Sequence, residues 1–86
     1  MIRIYCDWND RIDAEKFDLG CRGSVDDLTL HASALKEGMR VVLYQTDELE
    51  AEGTIHFDLE RNRWWAVPDF TTKRFVGRSA AFERNA

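Results

Sequence analysis

Cys6, Cys21, His31 and His56 are the residues whose side chains could hold a transition metal. No two of them have the close spacing that structural zinc sites use, so no metal site is expected. A Cys–His–Asp nucleophile could be assembled from the same residues, but none forms a local signature. The expectation is a protein that is not an enzyme, with no catalytic residue and no cofactor. Gly20-Cys21-Arg22-Gly23 reads as a turn, because the Lys-Ser/Thr of a phosphate-cradling loop does not follow. Asp7, Asn9, Asp10, Asp13 and Glu15 have calcium-ligand chemistry, yet their spacing does not fit an EF-hand and the glycine for its sharp turn is missing. They read as a solvated loop. Lys73-Arg74, between Phe70 and Phe75, is a basic-aromatic pair of the kind that stacks bases. With Arg78 it forms the alternative, nucleic-acid-binding reading.

The leading candidate is an aromatic surface, and its logic rests on strand alternation. In Leu49 to Leu59 (LEAEGTIHFDL) every odd position is apolar or small and every even one is polar. A period of two held this long suits a half-buried strand and cannot lie on one face of a helix. A sheet must therefore wrap around this stretch. Trp64 to Pro68 (WWAVP) returns beside it, and adjacent strand residues point opposite ways, so Trp64 and Trp65 cannot both enter one core. With Arg61 and Asn62 at the turn, Leu59 faces Trp64 and Phe57 faces Ala66, all inward. Asp58 then faces Trp65, and His56 faces Val67, on the outer side. Trp65, His56, Asp58 and Val67, with Tyr44 and Glu50 across the sheet, make an amphipathic patch suited to a protein partner.

The other elements follow from the same patterning. Met1 to Trp8 alternates, with Ile2, Ile4, Cys6 and Trp8 on the core side. Phe17 and Leu19 mark a short strand that ends at Gly20 and Gly23. Ser24 to Lys36 predicts a helix over 25–32, with Ser24 as N-cap, Asp26 and Asp27 at its positive end and a buried stripe of Val25, Leu28, Ala32 and Leu35. Gly38 is placed to supply a left-handed residue after it. Met39 to Gln45 is strand-forming, and a three-residue Thr46-Asp47-Glu48 loop sets Val41 and Leu43 inward beside Gly53 and Ala51. Gly53 marks a bend or bulge in the central strand. The sum is a mainly β fold with one short helix: a small curled antiparallel sheet or partly open barrel. A single domain over 1–76 and a flexible tail over 77–86 are expected.

Leu35-Lys36-Glu37-Gly38-Met39-Arg40-Val41, leading into Leu43-Tyr44, is similar to the segment that enters a strand in many SH3-like barrels. Together with Gly53-x-Ile55, Phe57-Asp58 and Trp64-x-Ala66-x-x-Asp69, it resembles short bacterial proteins without an assigned activity. That resemblance covers 35–70, implies the fold and a bacterial source, and carries over no catalytic residue.

Charge narrows the partner class. The 86 residues carry a net charge of −4, split between −8 over residues 1–60 and +4 over 61–86. Overall acidity argues against non-specific binding to a phosphate backbone. The basic end either neutralises the acidic sheet within one molecule or meets a partner, including a second copy. A monomer or weak homodimer is expected. No apolar run reaches membrane-spanning length, and MIRIYCDWND has no signal-peptide core. A cytoplasmic protein with reduced cysteines is the resulting expectation.

Overall fold

The computed structural model describes residues 1–75. Its strands are β1 (Arg3–Tyr5), β2 (Phe17–Asp18), β3 (Arg40–Tyr44), β4 (Leu49–Asp58), β5 (Arg63–Pro68) and β6 (Arg74–Phe75), with one helix, α1 (Arg22–Leu30). They form one curled sheet, a half-barrel, in the order β1-β3-β4-β5-β2, with β6 also on β4. The predicted mainly β architecture around a long central strand is therefore present. The sheet is mixed, because β1 runs parallel to β3 while the other pairs are antiparallel. A parallel neighbour needs a long crossover, and residues 6–39, which include α1, provide it.

β4 shares its two edges among three neighbours. β3 lies along one edge, while β6 takes positions 49–50 of the other and β5 takes 53–58. Gly53 is where the neighbour changes. A Cβ there would stand 2.6 Å from the Val67 carbonyl oxygen and 2.9 Å from the Pro68 Cα, so only glycine admits this approach of β5. The ladders run through Gly53 without a bulge.

The first hairpin has the expected register: Val41 pairs with Gly53 and Leu43 with Ala51, and Val41 and Leu43 are fully buried. The second differs by two residues. Phe57 pairs with Trp64, His56 with Trp65 and Asp58 with Arg63, in place of the expected Phe57–Ala66, His56–Val67 and Asp58–Trp65. The cause is local. Asp58 Oδ1 accepts hydrogen bonds from the amides of Glu60 and Arg61, and Asn62 takes a left-handed φ of 53°, which together stabilise a four-residue tip. Leu59 lies in that tip, 86% exposed, rather than in the core. A slip of two leaves each side chain on its expected face.

The core is built from Ile4, Cys6, Phe17, Leu19, Leu28, Val41, Leu43, Ile55 and Ala66, with Ile2, Trp8, Leu35, Met39 and Trp64 packed around it. The helix departs most from expectation. It starts at Arg22, so Ser24 lies inside the first turn and does not cap it. Ser24 donates its hydroxyl to the Tyr5 carbonyl, and Asp27 accepts the Tyr5 amide at 2.8 Å. The outward amide and carbonyl of Tyr5 are thus occupied by α1 side chains, which blocks strand pairing at that residue of the β1 edge. Of the expected buried stripe only Leu28 is buried; Val25 and Ala32 are exposed. Gly38 is left-handed, with φ 76°, but it turns the chain into β3 and lies well beyond the helix end.

Candidate functional site

The two-residue slip places His56 directly beside Trp65 on the outer face. Their rings stack with centroids 4.5 Å apart and planes 29° from parallel. β5 lies between β4 and β2, so Lys16, just before β2, reaches the indole from the opposite neighbour. Its ammonium stands 4.9 Å from the ring centroid, within cation–π range. Trp65 is half-buried between these two side chains.

Glu37 anchors the stack from behind. Its Oε2 is 2.6 Å from His56 Nδ1, and its Oε1 accepts the Phe57 amide at 2.8 Å. The Phe57 amide first, and the imidazole second, hold the Glu37 carboxyl below its ordinary range. An ionised carboxylate only accepts, so Nδ1 carries the proton. In the neutral ring Nε2 then accepts from the Thr54 hydroxyl, 2.9 Å away. Carboxylate, imidazole and hydroxyl in this order are the groups of a nucleophile relay. Here they immobilise the ring on which Trp65 rests.

Of the residues expected to form the patch, the structure joins Trp65 and His56, with Val67 opposite Thr54 beside them. Asp58 is engaged in its own turn. Tyr44 is on the same face but pairs with Glu50, six positions along β4 from His56, which is about 20 Å of strand. It belongs to a second constellation. Its hydroxyl donates to Asp27 Oδ2 at 2.8 Å, the Arg3 guanidinium lies 4.7 Å from its ring centre, and burial followed by Asp27 pushes its pKa up.

Glu50 is the centre of this second constellation. It is 5% exposed, accepts from Arg74 Nη2 at 2.7 Å and Nε at 3.1 Å, and faces Arg3 at 3.4 Å. Arg74 first, and then Arg3, pull its pKa down against the cost of burial. Arg74, a candidate nucleic-acid contact, is therefore engaged with a carboxylate. Lys73 is exposed, and Arg78 lies outside the described residues. Phe70 packs against Trp8 and Phe17 yet stays 38% exposed, and Phe75 is 65% exposed.

The metal candidates are dispersed: Cys6 is buried, Cys21 contacts Ser24, His31 ends α1 and His56 stands on the outer face. Among the described residues no three His, Cys, Asp or Glu side chains converge. Burial, with Cys21 second, pushes the Cys6 thiol up to about 12. In the 9–15 loop, Asp13 accepts the amides of Glu15 and Lys16, while Asp7 accepts that of Asn9.

Lys16, Glu37 and Thr54 are the site residues that sequence reasoning did not select. Glu37 was within reach: extending the expected β3–β4 register backwards sets it opposite Phe57, next to His56. Gly38 and Met39 do continue that ladder through Ile55. No described helix is long and apolar enough to cross a membrane. Compared with protein-family models, curated proteins and solved structures, the chain matches none.

Proposed function

We propose that the chain is a small non-catalytic module that binds a protein partner through the outer face of its sheet, at Trp65 with His56, Val67 and Lys16. One observation carries this reading: the half-buried indole is already clamped by His56 and Lys16, with Glu37 behind. An aromatic side chain fixed before binding loses little conformational entropy in a complex, and tryptophan dominates many interface centres. In the same reading the half-barrel is of the SH3-like kind, from a bacterial cytoplasmic protein that is a monomer or weak homodimer.

The test compares quantitative affinity capture from the source cell using wild type, Trp65→Ala and Lys16→Ala. Each variant is first shown to unfold cooperatively. A protein retained by wild type and lost from Trp65→Ala, then bound by the purified module in calorimetry, supports the reading. Identical capture by all three overturns it, and capture of nucleic acid through Lys73 and Arg74 would replace it.

A further inference from the structure

On the other side of the sheet from the Trp65 stack, a groove of about 540 Å³ opens between α1 and the start of β5. That volume lies within the range of small-molecule sites. Leu19, Leu28, Leu35 and Trp64 form its walls, and Arg63 stands at its rim. The protein has 16 acidic residues, yet among the described residues none lines this groove, and Arg63 is its one charged lining residue.

Arg63 is positioned by specific packing. Its Nη1 donates to Asp18 Oδ2 at 3.2 Å, and the side chain stays 46% exposed. The guanidinium also lies over the backbone of Gly20, where a Cβ would come within 3.0 Å of Arg63 Cζ and Nε. Gly20 thus leaves the space that Arg63 fills. A guanidinium has five N–H donors, and this ion pair uses one of them.

We propose that this groove is a binding site for a small amphiphilic carboxylate of the medium-chain fatty-acid class. The hydrocarbon body lies along Leu19, Leu28, Leu35 and Trp64, and the carboxylate takes the remaining donors of Arg63. Apolar walls supply most of the affinity. The fixed cation selects an anionic head over a neutral or cationic one, because charge-assisted bonds to a guanidinium are the stronger kind. Its apolar walls lie on the opposite side of the sheet from Trp65, while Arg63, opposite Asp58 in the ladder and ion-paired to Asp18, borders both sides; the proposal does not rest on the partner surface.

The experiment titrates the full chain with decanoate below its micellar concentration, followed by tryptophan emission and amide chemical shifts. Decanol, decylammonium and a peptide with a carboxyl-terminal leucine are run in parallel. Saturable decanoate shifts centred on Leu28, Leu35 and Trp64 are expected, with decanol and decylammonium at least about tenfold weaker. Arg63→Gln loses a similar factor. Thr29→Trp, at an exposed position on the groove wall, abolishes binding without unfolding the chain. Should Arg63→Gln fail to fold, Arg63→Lys and the ligand series on wild type decide the matter.

Absent saturation, equal binding of decylammonium, or unchanged affinity in a folded Arg63 variant each overturns the proposal. Binding of the peptide but not decanoate assigns the groove to a protein terminus. A dimer in sedimentation that decanoate does not dissociate assigns it to a second copy.

Discussion

The two ends of the outer face of β4 carry the same kinds of side chain and use them differently. At the Glu50 end an acid is buried beneath Arg3 and Arg74, and Tyr44 is tied through its hydroxyl to Asp27 on α1. Glu50, Arg3, Arg74, Tyr44 and Asp27 are partnered within the chain, so that end joins β1, β3, β4, β6 and α1. At the His56 end the acid, Glu37, is exposed and acts through an imidazole on a half-buried tryptophan. One end directs its electrostatics into the fold. The other uses them to hold an aromatic surface in place, which is why only the second is the candidate for a partner.

Gly53 lies between the two ends, and replacing it is expected to have the largest effect. A Cβ there meets the backbone of Val67 and Pro68, which cannot rotate away as a side-chain tip can. Gly53→Val should cost about 3 kcal/mol, the upper part of the overpacking range, and should separate β5 from β4. Urea unfolding measures the loss. Hydrogen exchange should show faster opening across 53–58 than across the β3 pairing, and a variant as stable as wild type would show that the close approach of β5 does not require glycine.

Glu50→Gln comes next, at about 2 kcal/mol. Removing one partner of a fully buried pair costs more, but here Arg3 is 50% and Arg74 70% exposed, and both recover hydration. The pH dependence separates the charge from the shape. The folded-state pKa of Glu50 is lowered, so its contribution is present above the ordinary glutamate value and lost as pH falls through the lowered one. Wild type should exceed Glu50→Gln in stability at pH 7, with the gap closing in acid. A gap that persists at pH 2 would mean that packing, not ionisation, holds this end.

How far these ends could be read beforehand differs in an instructive way. Alternation alone sorted inner from outer side chains along β4 and β5, and the slip of two at the second hairpin did not disturb that sorting. It did change which outer residues meet. The four-residue tip depends on Asp58 and Asn62 side-chain and backbone geometry that hydrophobic pattern does not encode, and that tip puts His56 on Trp65. Ser24 and Asp27 resembled helix-terminal residues because their short polar side chains suit that role. Their hydrogen bonds go instead to β1, a partner some twenty residues away that local sequence does not announce. The charge split was legible in outline. Arg63 on Asp18 and Arg74 on Glu50 pair the basic end with the acidic body within one molecule.

Trp65→Ala tests the His56 end. A half-buried indole flanked by polar side chains contributes less than a core one, so the loss should be about 1 kcal/mol, well below that of a buried aromatic. Iodide quenching should fall in this variant, since Trp65 is the indole on the open face while Trp64 and Trp8 pack against the core. Unchanged quenching would show that Trp65 is not available to a partner.

The smallest effect is expected from Glu37→Gln, and it has a distinct signature. The carboxylate is exposed, so global stability should fall only slightly at neutral pH, with wild type and variant converging as pH drops through the lowered Glu37 value. Locally the change should be plain. The Phe57 amide loses an ionised acceptor and should exchange faster, and the His56 ring, no longer held at Nδ1 by a carboxylate, should lose its fixed stacking on Trp65. Ring-current shifts of the His56 protons report that directly. If those shifts stay at wild-type values, Glu37 does not hold the stack, and the contrast between a closed end and a poised one reduces to burial alone.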